Sequence, residues 1–220
     1  AYTDLTAAND TAGVVQDAVG NDMASTVTPV NADTLISSVS VTSLAANYIN
    51  LILTGNAAIN GTGNASDNTI KGNSNVNAIT GAAGIDSMDG GDSADIFLIA
   101  TSADHAAAEV KDTGTTGSDE LRFSSSTAGQ TLTVYAGDTG LEQVTIGTGT
   151  GATPTTTGTT ALNINASAAI NGLTITGNAG TNSLIGTAFA DAINGNAGND
   201  NINGITGDDV FNGGAGNDTM

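Results

Sequence analysis

The chain has 220 residues and a formal net charge of −19, with three basic side chains (Lys71, Lys111, Arg122) against 22 acidic ones. Phosphate backbones and anionic lipid surfaces recruit Lys/Arg-rich faces, so this balance argues against nucleic acid and against an acidic membrane surface as partners. Cysteine is absent, which excludes disulfides and thiolate metal sites.

Aromatics make up 3% of the chain and much of the 39% apolar share is alanine, so a core of large side chains is hard to build. That composition fits either disorder or a repeat fold that stacks small residues, and regular spacing decides for the repeat. No apolar run approaches the about 20 residues that span a bilayer, so no membrane insertion is expected.

Residues 1–62 are an acidic, Ala-rich segment followed by strands. TAGVVQDAV (11–19) predicts one helical turn, and LISSVSVTSL (35–44) and YINLILTG (48–55) alternate as short strands. Residues 63–98 then read as four nonapeptides, GNASDNTIK, GNSNVNAIT, GAAGIDSMD and GGDSADIFL. Their sixth places are Asn68, Asn77, Asp86 and Asp95, and their eighth places Ile70, Ile79, Met88 and Phe97.

A linking segment, 99–176, follows. HAAAEVKD (105–112) predicts about two helical turns. TLTVYAG, EQVTIGTG, ALNINAS and LTITG predict strands, and 147–160 a flexible loop. Residues 177–220 return to the period as GNAGTNSLI, GTAFADAIN, GNAGNDNIN, GITGDDVFN and GGAGNDTM. Here the sixth places are Asn182, Asp191, Asp200, Asp209 and Asp218. AANDTAGVVQD (7–17) is similar to SADHAAAEVKD (102–112), so the chain reads as one module used about twice. The start at Ala1 and the stop at Met220, inside a nonapeptide, read as the ends of a window on a longer chain.

One unit has a physical logic. Glycines at the first, second and fourth places permit positive φ and close backbone approach, so a tight turn can aim carbonyl oxygens inward. The sixth place adds a carboxylate or amide, and the last three residues form a very short strand whose eighth residue points in. Two units make one coil, so turns on one side recur every eighteen residues, stacked at about 4.8 Å. Carbonyls and carboxylates without His or Cys are hard oxygen ligands that suit Ca²⁺ better than Mg²⁺. Asp191 with Asp209 and Asp200 with Asp218 are the strongest expected ion sites. Asn182 with Asp200, Asn68 with Asp86, and Asn77 with Asp95 carry one carboxylate fewer. Asp104, eighteen residues after Asp86, is a further candidate without the glycine frame.

These units resemble the Gly-Gly-x-Gly-x-Asp-x-apolar-x repeat of RTX, or haemolysin-type, calcium-binding proteins, directly over 63–98 and 177–220. INLILTGNAAINGTGNASDNTIKGN (49–73) is also similar to segments of long RTX-type surface proteins. The resemblance implies an all-β, right-handed parallel β-roll, or solenoid, with several calcium ions between same-side turns and export by type I secretion. Asn68, Asn77 and Asn182 depart from the Asp of the pattern, and Val76 and Phe189 from its glycine frame.

The functional expectation is an extracellular, calcium-binding structural surface protein, such as an S-layer or filament subunit that self-associates and whose folding depends on Ca²⁺. The alternatives are a calcium-dependent adhesin spacer, or the secretion and folding domain of an exoenzyme or toxin. No arrangement for nucleophilic or acid–base catalysis is visible, so no enzyme is expected here. His105, the one histidine, reads as a surface residue in an Ala-rich segment.

Overall fold

The computed structural model describes residues 33–220; the helical turn expected at 11–19 lies outside the described residues. The regular structure of the described chain is almost entirely short strands. They run β1 (Asp33–Ser37), β2 (Tyr48–Leu53), β3 (Gly61–Thr62), β4 (Thr69–Lys71), β5 (Ala78–Thr80), β6 (Ser87–Asp89) and β7 (Ile96–Ile99). After a 3₁₀ turn at Ser102–Asp104 come β8 (Glu120–Phe123), β9 (Thr131–Thr133), β10 (Gln143–Ile146) and β11 (Asn163–Asn165). The last five are β12 (Thr174–Thr176), β13 (Ser183–Ile185), β14 (Ala192–Asn194), β15 (Asn201–Asn203) and β16 (Val210–Asn212).

Consecutive strands of the repeats belong to different sheets. One long sheet runs β3-β5-β7-β8-β10-β12-β14-β16; a second face is made by β1-β2-β4-β6 and, further along, by β9-β11-β13-β15. All pairings between these strands are parallel. Each strand therefore crosses to the opposite face and returns one coil later beside its predecessor: a parallel β-roll.

The core solves the problem set by the composition. Most strands insert at least one apolar side chain, and the register stacks these in file. Ile79, Phe97, Leu121, Val144, Ile175 and Ile193 line the long sheet. Leu51, Ile70 and Met88 line one part of the opposite face, and Leu132, Ile164, Leu184 and Ile202 the other. All are buried, at about 1.5–3 kcal/mol each. A narrow file of aliphatics replaces a wide aromatic core. Phe211, in the last coil, is partly exposed.

One sequence expectation changes. HAAAEVKD forms no helix: Val110 and Lys111 bridge in parallel to Met88 and Thr139, and Ala108 takes φ 66°. Buried partners for Glu109 and His105 hold this stretch extended, overriding alanine's helical preference. The segment 147–160 carries no regular strand but is tied down. Thr148 and Thr155 exchange two backbone hydrogen bonds, and the buried Arg122 donates to the carbonyls of Gly149 and Gly151.

Candidate metal centre

Each sixth-place residue stands immediately before a strand, so the parallel register that stacks the core also stacks these side chains, eighteen residues apart. In every Asp-bearing coil one carboxylate oxygen, Oδ1, accepts the backbone N–H of the residue above. Asp86 accepts from Asn68, Asp95 from Asn77, Asp191 from Leu173, Asp200 from Asn182, Asp209 from Asp191 and Asp218 from Asp200, at 2.7–3.0 Å. The sequence-paired residues are thus adjacent in space.

The Asn seats are complete without an ion. Asn68, Asn77 and Asn182 each accept, through Oδ1, the N–H of the second-place residue of their own turn, Asn64, Asn73 and Asn178, at 2.7–2.9 Å. Each Nδ2 donates to a carbonyl of the coil above, on Ile49, Ile59 and Leu162, and to the Oδ1 of that same second-place Asn.

The Asp seats at 86, 95 and 200 are not complete. Their second-place residues, Ala82, Gly91 and Asn196, have φ of 76°, 92° and 73°, and the fourth places, Gly84, Ser93 and Gly198, are also positive. In this open form the second-place N–H no longer reaches the carboxylate. Oδ2 of Asp86, Asp95 and Asp200 is buried without any hydrogen-bond partner. None of these acids is in an ion pair; the cations that make ion pairs among the described residues go elsewhere. The turns of Asp209 and Asp218 share the open form, with Ile205 at φ 72° and Gly214 at 93°, but lie half-buried in the last coil.

Asp191 differs from the expectation that it is one of the best sites. Its turn is closed: Thr187 donates its N–H to Oδ2 at 2.6 Å and its hydroxyl to Oδ1 at 3.0 Å. Threonine at the second place does for this Asp what the amide network does for the Asn seats.

Glycine at the fourth place has a steric reason in the open turn. Gly198 sits at φ 124°, and a Cβ there would run into the backbone of Gly180 in the coil above. Carbonyls and carboxylates of successive turns therefore face one another with no side chain between.

The acid file does not end with the repeats. Asp86 N–H is accepted by Glu109, Asp95 N–H by Asp119, and Asp119 N–H by Glu142, at separations of 23, 24 and 23 residues. Asp104, expected to follow Asp86, is displaced: its carboxylate caps the 3₁₀ turn by accepting the Thr101 N–H, and Glu109 takes the seat. The longer coil absorbs the extra residues, so counting by eighteen fails there. Asp119 and Glu142, both missed, are the sixth places of two further degenerate nonapeptides, GTTGSDELR (114–122) and GDTGLEQVT (137–145), a signal present in the sequence but out of phase with the first run, whereas Glu109 has no glycine frame.

His105 is buried, not superficial as expected. Its Nδ1 lies 3.1 Å from Glu109 Oε2 and its Nε2 3.0 Å from Asp138 Oδ2. Burial pulls its pKa down, but hydrogen bonds to Asp138 and Glu109 outweigh this and raise it to about 9, so the ring is a cation at neutral pH. In the opposite sense, burial pushes Asp86 up to about 6, Asp119 to about 7 and Asp95 to about 8, with neighbouring carboxylates adding to it. Asp200 is also raised, by burial and then by Asp218. A file of carboxylates with orphaned buried oxygens and raised pKa values fits a hard divalent cation.

Comparison with known protein families matches the RTX calcium-binding nonapeptide repeat in four copies, over residues 62–88, 72–98, 176–204 and 185–220. No curated protein and no solved structure matches. Fold and seats define a calcium-binding β-roll whose turns over 62–98 and 176–220 are RTX-type nonapeptide repeats.

Proposed function

We propose that the protein is an extracellular, calcium-dependent structural element of a bacterial surface, a subunit of an S-layer or filament exported by type I secretion. The observation that carries the calcium dependence is the set of orphaned oxygens on Asp86, Asp95 and Asp200, which make no ion pair among the described residues. Those residues, with Asp209 and Asp218 in turns of the same form, would hold the ions. Bound calcium supplies positive charge and accepts oxygen ligands there. The chain's own contribution is to align the carboxylates by backbone hydrogen bonds and to keep the turns free of side chains.

Without the ion, buried like charges oppose folding and lower the stability of the roll, which keeps the chain exportable. A ligand that binds only the folded state adds RT ln(1 + [L]/Kd), about 1.4 kcal/mol per site at ten times Kd. Several such sites decide the fate of a roll whose total stability is of order 10 kcal/mol.

The structural role is supported by the continuity of the coil stack and by the poverty of its hollows. Two hollows, about 90 and about 300 Å³, are lined by residues such as Phe123, Ile146 and Leu162 in one and Thr80, Leu98 and Thr148 in the other, with no titratable side chain in either. No helix among the described residues is long and apolar enough to cross a membrane. Circular dichroism during addition of calcium and then chelator tests the conditional fold, and a spectrum β-rich and unchanged throughout contradicts it. Electron microscopy in calcium tests the assembly: sheets or fibres support it, whereas separate rods favour an adhesin spacer.

A further inference from the structure

We propose that one turn edge of the second run is a contact surface between two copies of this chain, centred on Phe189. Strands β12, β14 and β16 lie side by side in the long sheet, so the turns that precede them stack along one edge of the roll. Thr206 donates its hydroxyl to the carbonyl of Ala188 at 3.3 Å, and Leu173 donates its N–H to Asp191 Oδ1 at 2.8 Å. Three large apolar side chains stand on these successive turns: Ile170, Phe189 and Ile205, exposed at 55%, 46% and 44%. At a strand spacing of about 4.8 Å they form a row roughly 10 Å long, with the exposed Ala188 and Ala190 on either side of Phe189 in its turn. The turns before β13 and β15, on the opposite edge, expose no large apolar side chain.

Two of the three stand where the repeat pattern has glycine. Phe189 is at a fourth place and Ile205 at a second, and Ile205, although β-branched, is held at φ 72°. Much of each side chain stays in water, so burial within the chain does not offset the strain or the exposure. Asn196 fills the second place of the neighbouring unit at φ 73° with a polar side chain. A strained, solvent-facing apolar residue at a position that glycine or asparagine occupies more easily points to a use outside the chain.

Charge selects the occupant. Residues 143–190 contain no Asp, Glu, Lys, Arg or His in a chain of net charge −19, and the first exposed acid after them is Asp208, in the turn of Ile205. Two copies that meet on acidic faces oppose each other, because like charges set against one another disfavour contact. Along this edge they meet apolar surface to apolar surface. A basic partner is drawn to the acidic faces instead and gains nothing from an uncharged row. Pairing about a two-fold axis sets Phe189, in the middle turn, against the same residue of the other copy, and an isologous contact of this kind closes on itself. So short a row is smaller than a standard interface, so the dimer is reversible. The inference rests on the self-associating role proposed above and supplies one of its contacts.

The test is sedimentation velocity of the whole chain in calcium, in wild type and in the double variant Phe189→Ser with Ile205→Asn. Ser93 and Asn196 hold the same fourth and second places in other units, so the double variant is expected to fold, with its calcium response in circular dichroism retained. The expected result is a reversible wild-type dimer and a dissociation constant raised tenfold or more in the variant. A second measurement does not depend on that variant. The chain has no cysteine, so Phe189→Cys should give a disulfide-linked dimer on oxidation, whereas Thr181→Cys, exposed on the opposite edge, should not. Equal dimer affinity in wild type and double variant, or equal cross-linking from the two cysteines, overturns this contact and leaves self-association standing. A wild type that stays monomeric at every concentration overturns both.

Discussion

The turns at 63–80 and those at 195–220 share the nonapeptide spacing but differ at the sixth place and in the backbone of the turn. In the first pair, Asn68 and Asn77 close a hydrogen-bond network that needs nothing from outside. In the last three, Asp200, Asp209 and Asp218 sit in open turns, and Asp200 leaves a buried oxygen unpaired. The same fold is thus stabilised internally at one end of the described coils and made conditional at the other. The linking segment shows a third solution, in which the chain brings its own cations: His105 between Glu109 and Asp138, and Arg122 clasping Glu120 with contacts of 2.8 and 2.6 Å. Wherever a carboxylate is buried, something must answer it, and the three regions answer with an amide, an external ion and a protein-borne cation.

The largest effect is expected where the chain's own cation is removed. His105→Ala leaves two buried acids without their cation and should cost about 3–5 kcal/mol, by the same amount in calcium and in chelator. Thermal melts in both conditions check this; a loss confined to calcium would break the distinction between regions.

Next are the exchanges between seats. Asp200→Asn should raise stability in chelator by about 1–3 kcal/mol, by removing an unsatisfied buried group, while weakening the response to calcium. Asn68→Asp should do the reverse. Melting both variants with and without calcium reads the crossover, and parallel shifts in the two conditions would show that the seats are equivalent.

An intermediate effect is expected from pH. Asp86, Asp119 and Asp95 have folded pKa values of about 6, 7 and 8, all above the ordinary carboxylate value of 3.8. Their contribution to the ion-free fold is therefore fully present below about pH 4 and lost as pH rises through 6 to 8. His105, raised to about 9, contributes below its ordinary value of 6.5 and loses that contribution as pH rises through 9. Both run the same way, so in chelator the melting temperature should fall steadily from pH 5 to 9; in calcium the carboxylate part of that slope should vanish. Denaturation series at fixed ionic strength check the sign.

The smallest effect concerns strain. Ile205 is β-branched and sits at φ 72° in an open turn. Ile205→Gly should stabilise the calcium-bound roll by about 1 kcal/mol, read as a shift in urea midpoint.

Much of this was legible in the residues. Alternation placed the strands, the eighth-place file supplied the core, and the nonapeptide phase put the acids in stacked turns. What failed did so where long-range partners override local pattern. The Ala-rich stretch around His105 has helical propensity, but Asp138, 33 residues away, holds the ring in the interior. Glu109 displaced Asp104 because that coil is longer than eighteen residues. Thr187 closed the turn of Asp191, a distinction invisible at the sixth place itself.

The most direct test is a crystal structure of the whole chain grown in calcium, with anomalous scattering to identify the ions. The expected result is ions against Oδ2 of Asp86, Asp95 and Asp200 and none against Asn68, Asn77 or Asn182. Ordered water alone beside Asp200, or ions beside the asparagines, would contradict the claim that open turns carry the calcium.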